Sequence, residues 1–164
     1  MKIVLVEPEI PQNTGNIART CAVTGTSLHL VHPLGFSTDD KYLKRAGLDY
    51  WDMLDVYHYD SLNEVLNKYQ NNNIYFTSTK AVKGYHQVDY NSDDLLVFGK
   101  ETAGLSEKLL KNNLNNAIRV PMKNKARSLN LANTVNIVLY EALRQNNFKD
   151  LNISGKFKSQ VSHS

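Results

Sequence analysis

The sequence predicts an α/β fold, a mainly parallel sheet flanked by helices. Three observations predict it. Short β-branched apolar runs alternate with segments whose apolar residues recur at helical spacing, the pattern of strand–helix–strand units. One run, residues 95–98 (LLVF), is apolar throughout and bounded by Asp94 and Gly99, as suits a strand buried on both faces of a parallel sheet. A chain of 164 residues, 41% hydrophobic and 21% charged, can fill one core and is not globally disordered. We expect a single domain over residues 1–155, with the polar stretch 156–164 as a mobile tail.

The first strand is expected at residues 3–6 (IVLV), followed by a helix over 13–24 with Ile17, Cys21 and Thr24 on one stripe. Residues 28–31 (LHLV) form the second strand, closed by Pro33. Residues 39–46 predict a short polar helix with Asp39 at its start, Lys44 and Arg45 near its end and Gly47 as C-cap, charges that complement the helix dipole. A strand at 54–57, a helix at 61–69 with Ser61 and Glu64 as a capping box, and a strand at 74–77 follow. After strand 95–98 come a helix at 106–111, a strand at 117–120 stopped by Pro121, and a long helix over 129–145. In that last helix Leu131, Val135, Val138, Leu139 and Ala142 share a face. The Asn-rich patches at 71–73 and 112–116 read as turns.

Composition narrows the function. Cys21 is the one cysteine, so no internal disulfide forms, and no Cys/His cluster has metal-ligand spacing. No apolar run reaches the ~18 residues of a bilayer crossing, and MKIVLVEPEIP meets Glu7 and Pro8 too early for a signal peptide, so a cytoplasmic protein without membrane contact is expected. A net charge of +3 is compatible with a nucleic-acid partner without demonstrating one. The stretch after the first strand, EPEIPQNTGN, has a single glycine and no GxGxxG, which weighs against a dinucleotide-binding fold. Lys100 is followed by Glu101 rather than Ser or Thr, which excludes a Walker loop.

Ligands of parallel sheets bind beyond the carboxyl ends of the strands, so the loops after Val6, Thr77, Phe98 and Val120 matter most. In the first, Gly15 is expected at a helix start whose amides can receive an anion that Arg19 also reaches; the alternative is an Asn cap and a solvated Arg. In FGKETAGL, two glycines bracket Glu101, and their lack of a side chain allows close approach to a ligand; a simple ion pair of Lys100 with a carboxylate is the alternative. In IRVPMKNKARSLNLANTVN, Lys123, Lys125 and Arg127 crowd a loop that ends in Ser128 and Asn130 at the opening of the last helix, where Ser128 also suits an N-cap.

NTGNIARTC, VFGKETAGLSE and IRVPMKNKARSLNLANTVNIVLYEALRQ, in this order and spacing, resemble the three motifs of the SPOUT family of S-adenosylmethionine-dependent RNA methyltransferases. The resemblance covers about residues 1–146 and is greatest to the 2'-O-ribose branch. VEPEIPQNTGNIAR and LGFSTDDKYLKRAGLDYWD, with no added RNA-binding domain, are similar to the minimal members that act on the tRNA wobble nucleotide. The resemblance implies a C-terminal deep trefoil knot, S-adenosyl-L-methionine bound in it, no metal, and a homodimer whose second subunit completes the active site. It implies a catalytic group of Asn13, Arg19, Glu101, Ser128 and Asn130, and cofactor contacts around Thr77, Gly99, Val120, Met122, Ser128 and Leu129.

The implied reaction is 2'-O-methylation of the ribose at tRNA position 34, cytidine or modified uridine, in leucine-type tRNAs. The partner is a tRNA anticodon stem-loop, with Lys41, Lys44, Arg45, Lys123, Lys125 and Arg127 as expected phosphate contacts. The resemblance nominates Arg19 as base, with Glu101 and Asn13 orienting it, although a guanidinium normally keeps its proton with a pKa above ~12. Holding the phosphate is its other reading. Rival functions are methylation of another tRNA or rRNA ribose or of a base nitrogen, RNA binding without chemistry, and a small-molecule phosphate enzyme.

Overall fold

A computed structural model of the protein describes residues 1–37, 50, 53–155 and 157. The strands are β1 (Lys2–Val6), β2 (Ser27–Val31), β3 (Val56–Tyr59), β4 (Ile74–Thr77), β5 (Lys83–Gly84), β6 (Leu95–Phe98) and β7 (Ala117–Arg119). The helices are α1 (Pro11–Thr24), α2 (Leu62–Lys68), α3 (Glu107–Asn112) and α4 (Leu131–Gln145). The seven strands form one sheet in the order β3-β2-β1-β6-β4-β7-β5, with every pairing parallel. From β1 the chain steps outward through β2 to β3; β4 and β6 then build the other half. The order therefore reverses between β1 and β6, where parallel sheets open a crevice at their carboxyl ends.

Period-two alternation sorts the core. Ile3, Leu5, Leu28, Leu30, Leu96, Phe98 and Ile118 face α1 and α4, which return Ile17, Cys21, Val135, Val138 and Leu139. Val4, Val31, Phe76, Leu95 and Val97 face the opposite layer, with Val65 of α2 and Leu110 of α3. Strand β6 is buried at every position, as its uniform apolarity requires. Each fully buried Leu, Ile or Phe contributes about 1.5–3 kcal/mol, so β6 and its neighbours anchor the loops that follow them.

Strand β3 starts at Val56 rather than residue 54: its Tyr57 and His58 are exposed, and this edge strand is set by pairing with β2 from Leu28↔Val56 to Val31↔Tyr59. β5, two residues long, has no periodicity to announce it. Helix α2 is capped as expected, Ser61 Oγ accepting from Glu64 N–H. Helix α4 begins at Leu131, and its N-cap is Asn130, whose side-chain oxygen accepts from Asn133 N–H at 3.2 Å; Ser128 is not the cap. The helix expected at residues 39–46 lies outside the described residues, as does the tail 156–164 apart from Phe157.

Helix α1 differs from expectation at its start. Pro11 opens it, suiting a position with no amide partner, and Gly15 lies buried in the second turn. Its N-cap, Ile10, has no side-chain oxygen to offer. At the other end Gly25 adopts φ +66°, and its N–H and that of Thr26 bond back to Ala22 O and Cys21 O, closing the helix.

Candidate active site

The missing cap of α1 comes from the loop after β6. Glu101 Oε2 accepts from Glu9 N–H at 2.8 Å, and Oε1 accepts from Ile10 N–H at 3.1 Å and from Asn13 Nδ2 at 3.0 Å. The anion expected at this helix start is thus the chain's own carboxylate, placed where amides and the helix dipole favour it. The Glu9 and Ile10 amides are occupied, and Gly15 is too far inside the helix to offer its own.

From Glu101 a directed chain of amides runs toward α4. Asn13 donates through Nδ2 to Glu101 and accepts through Oδ1 from Asn130 Nδ2 at 2.9 Å; Asn130 Oδ1 then accepts Asn133 N–H. A carboxylate can only accept and a backbone N–H can only donate, so the two ends fix both amide orientations. Each NH2 group uses one hydrogen in the chain and keeps a second. The trio consequently presents N–H donors, and Glu101 spends both carboxylate oxygens on three accepted hydrogen bonds.

These groups border a cleft of about 570 Å3 beyond the carboxyl ends of β6, β4 and β7. Its lining includes Asn13, Glu101, Ser128 and Asn130, and all six nominated cofactor positions, Thr77, Gly99, Val120, Met122, Ser128 and Leu129. Thr77 Oγ1 is buried there without a hydrogen-bond partner among the described residues, an orphan that a ligand group would satisfy. Gly99 is required for a different reason: a Cβ would stand 2.2 Å from Gly104 C, because the loop folds back with Gly104 N–H on Lys100 O at 2.8 Å. A larger hollow of about 870 Å3 lies at Ala81, Leu110 and Leu114, but none of the nominated residues lines it.

Arg19 does not line this cleft. Six residues after Asn13 on a helix turning 100° per residue, it points about 120° away from Asn13. Its exposed guanidinium stacks on Tyr50, 4.8 Å from the ring centre, with Nη2 3.5 Å from Tyr50 Oη. The expectation that Glu101 and Asn13 orient Arg19 is therefore not met inside the chain, since both are engaged elsewhere. Lys100 pairs with Glu7 at 2.7 Å rather than with its neighbour Glu101, and that pairing raises its pKa. Of the loop cations, Arg127 lines the cleft, while Lys123 and Lys125 are exposed outside its lining. Lys41, Lys44 and Arg45 lie outside the described residues.

Sequence reasoning missed Thr134, Thr102 and Lys80 in the lining. Thr134 had a signal: one turn after Asn130, its hydroxyl donates to Asn130 O at 3.0 Å. No group of three or more metal-ligating side chains occurs among the described residues, and none of their helices is long and apolar enough to cross a membrane.

Comparison with known proteins gives the arrangement a family. A Bacillus subtilis protein is 51% identical over 154 residues, covering 92% of this chain and 96% of its own. A Saccharophagus degradans protein named tRNA (cytidine(34)-2'-O)-methyltransferase is 46% identical over 147 residues, covering 89% and 96%. A solved structure described as giving insights into 2-OH methylation of C/U34 on tRNA superposes with a TM-score of 0.84 at 40% identity, covering 89% of this chain and 95% of that one. The SpoU methyltransferase AviRb of Streptomyces viridochromogenes, solved in complex with AdoMet, gives 0.77 at 25% identity over 90% of this chain and 58% of its own. The SpoU rRNA Methylase family model matches residues 1–140, and the chain belongs to that family.

Proposed function

We propose that this protein transfers a methyl group from S-adenosylmethionine to the ribose 2'-oxygen of nucleotide 34 of tRNA, a cytidine or modified uridine, in leucine-type tRNAs. The observation that carries the reading is the directed chain Glu101–Asn13–Asn130 laid along a cleft that Thr77 also lines, its buried hydroxyl without a hydrogen-bond partner among the described residues. The names of relatives 46% identical over nearly their whole length support the target nucleotide.

S-adenosylmethionine supplies a methyl carbon made electrophilic by its sulfonium. Thr77, Gly99, Val120, Met122, Ser128 and Leu129 would hold it, and Arg127 suits its carboxylate. No metal is part of this mechanism. Methyl transfer is an in-line displacement, so the protein's main task is to hold the ribose oxygen in line. The spare N–H groups of Asn13 and Asn130 suit that task. Glu101 keeps both amides turned the right way.

Arg19 joins from a second copy in this reading. Its exposed side lies on the stripe Gln12, Asn16, Arg19 and Val23 of α1, and α4, which packs against α1, leaves Ile137 and Tyr140 36% and 46% exposed. These apolar and polar surfaces suit an isologous homodimer in which Arg19 of one subunit reaches the cleft of the other and holds the phosphate; only a neutral guanidinium could instead receive the ribose proton, which otherwise leaves to water once the oxygen carries the methyl. The trefoil knot that the resemblance implies belongs to the same reading, supported by a cleft walled by residues 77–80, 98–105, 120, 122 and 127–131 at once. A cytoplasmic location accords with a tRNA substrate.

The experiment is incubation with tRNA and S-adenosylmethionine, then mass mapping of the product. A single ribose methyl at position 34 is expected. A methyl on a base, or on a ribose outside the anticodon loop, overturns the assignment.

A further inference from the structure

Two loops leave the neighbouring strands β1 and β6 side by side and interlock residue by residue. Lys100 reaches back to Glu7; the Glu101 carboxylate takes the Glu9 and Ile10 amides; and the Glu9 carboxylate takes both the N–H and the hydroxyl of Thr102, each at 3.0 Å. Glu9 is thus gripped through its amide by Glu101 and grips Thr102 through its side chain. Behind it the chain cannot retreat. Gly35 N–H donates to Pro8 O at 2.9 Å, and a Cβ on Gly35 would stand 2.7 Å from Glu9 Cα. Glu9 itself does not line the cleft, whereas Thr102 does.

We propose that Glu9, with Thr102 as its partner, is a positioning residue for methyl transfer: the pair fixes the loop that carries Glu101, and through Glu101 it sets the Asn13 and Asn130 amides over the cleft. This rests on the reading of the site as a methyltransferase. Glu101 is held by bonds from its own carboxylate and, through its chain neighbours, by Lys100 on one side and Thr102 on the other. Releasing Thr102 frees one side of the loop without removing any group from the cleft. Misplacement of about 1 Å far from the chemistry can cost ~100-fold in rate, so the effect belongs in kcat.

The pair is tested with Glu9→Ala, Glu9→Gln and Thr102→Val in the full-length protein. Glutamine can accept the Thr102 N–H through its oxygen and donate to the hydroxyl through its NH2, so it restores both contacts without the charge. Glu9→Ala should lower kcat on tRNA about tenfold or more, with KM and cofactor affinity within about twofold, and Glu9→Gln should recover most of the loss. Thr102→Val, which keeps the amide bond, should fall between them. Hydrogen exchange at the Thr102 amide, measured without substrate, should quicken in Glu9→Ala and not in Glu9→Gln. An unchanged kcat in Glu9→Ala, a loss confined to KM or to the folded fraction, or unaltered Thr102 exchange overturns the proposal. A wild-type protein that methylates no tRNA overturns the reading of the site instead, and the exchange arm still decides whether Glu9 holds Thr102.

Discussion

Replacing Glu101 by Gln removes one oxygen from a three-acceptor carboxylate. If the new amide keeps its oxygen at the Oε1 position, the bonds from Ile10 N–H and Asn13 Nδ2 survive, but an NH2 then confronts Glu9 N–H, formerly 2.8 Å from Oε2. Flipping the amide saves Glu9 and loses the other two. At least one charge-assisted hydrogen bond disappears, worth ~1.5–3 kcal/mol, together with a negative charge at the start of α1 worth ~0.3–1 kcal/mol. The site is partly exposed, so the low end applies, and Glu101→Gln should cost about 2 kcal/mol of unfolding free energy. For a chain of this size that is a fall of about 4–8 °C in Tm. Urea denaturation at fixed protein concentration measures it, with methylation assayed alongside. A variant within about 0.5 kcal/mol of wild type would show that Glu101 does not cap α1, because surface changes unconnected to such a feature fall in that range.

Arg19→Ala should abolish methylation while cofactor affinity, measured by calorimetry, stays within severalfold; Arg19→Lys should also be poor because an ammonium cannot reproduce a planar bidentate contact, and near-normal turnover by either removes Arg19 from the mechanism. S-adenosylmethionine should bind in the presence of chelator, and loss of binding reversed by a divalent ion would contradict a metal-free site. The protein should sediment as a homodimer, and a fully active monomer at assay concentration would leave the separation of Arg19 from the cleft unexplained. Buried His29 is held neutral, its pKa pushed down to about 4 from 6.5 by burial and then by Lys2 and Lys68. Its folded value lies below its unfolded one, so stability is complete above pH ~6.5 and declines as pH falls toward ~4, by up to about 3 kcal/mol. His29→Gln should flatten denaturation midpoints between pH 7 and 4.5, and an unchanged acid slope would assign the loss to other groups.

Local signals fared well wherever one stretch of chain decides its own structure. Residues 74–77 and 95–98 became strands with the expected bounds because β-branched and aromatic runs between Asn, Asp and Gly leave no other buried conformation. The Ser61 cap likewise formed where it was read, although the Glu64 carboxylate accepts from Asp60 N–H rather than closing the box on Ser61 N–H. The misplaced ends have a tertiary cause. β3 follows its register against β2, and α1 starts earlier than its apolar stripe because a cap arrives from Glu101, 91 positions from Ile10.

The candidate site divides the same way. Asn13, Glu101 and Asn130 were legible as individuals, but their bonding spans 88 and 117 positions, and no local pattern reports such pairings. Nor did any local pattern mark Glu9, which reads as one of two acids in EPEIPQ until Thr102 is seen folding onto it. Arg19 is the instructive exception. Once residues 13–19 are assigned to one helix, six steps of 100° already place Asn13 and Arg19 on different faces. A sequence that puts both in one reaction then requires either that the helix break between them or that another molecule bring a second Arg19. α1 is unbroken from Pro11 to Thr24. The proposed homodimer thus draws its support from helical geometry, before any interface is considered.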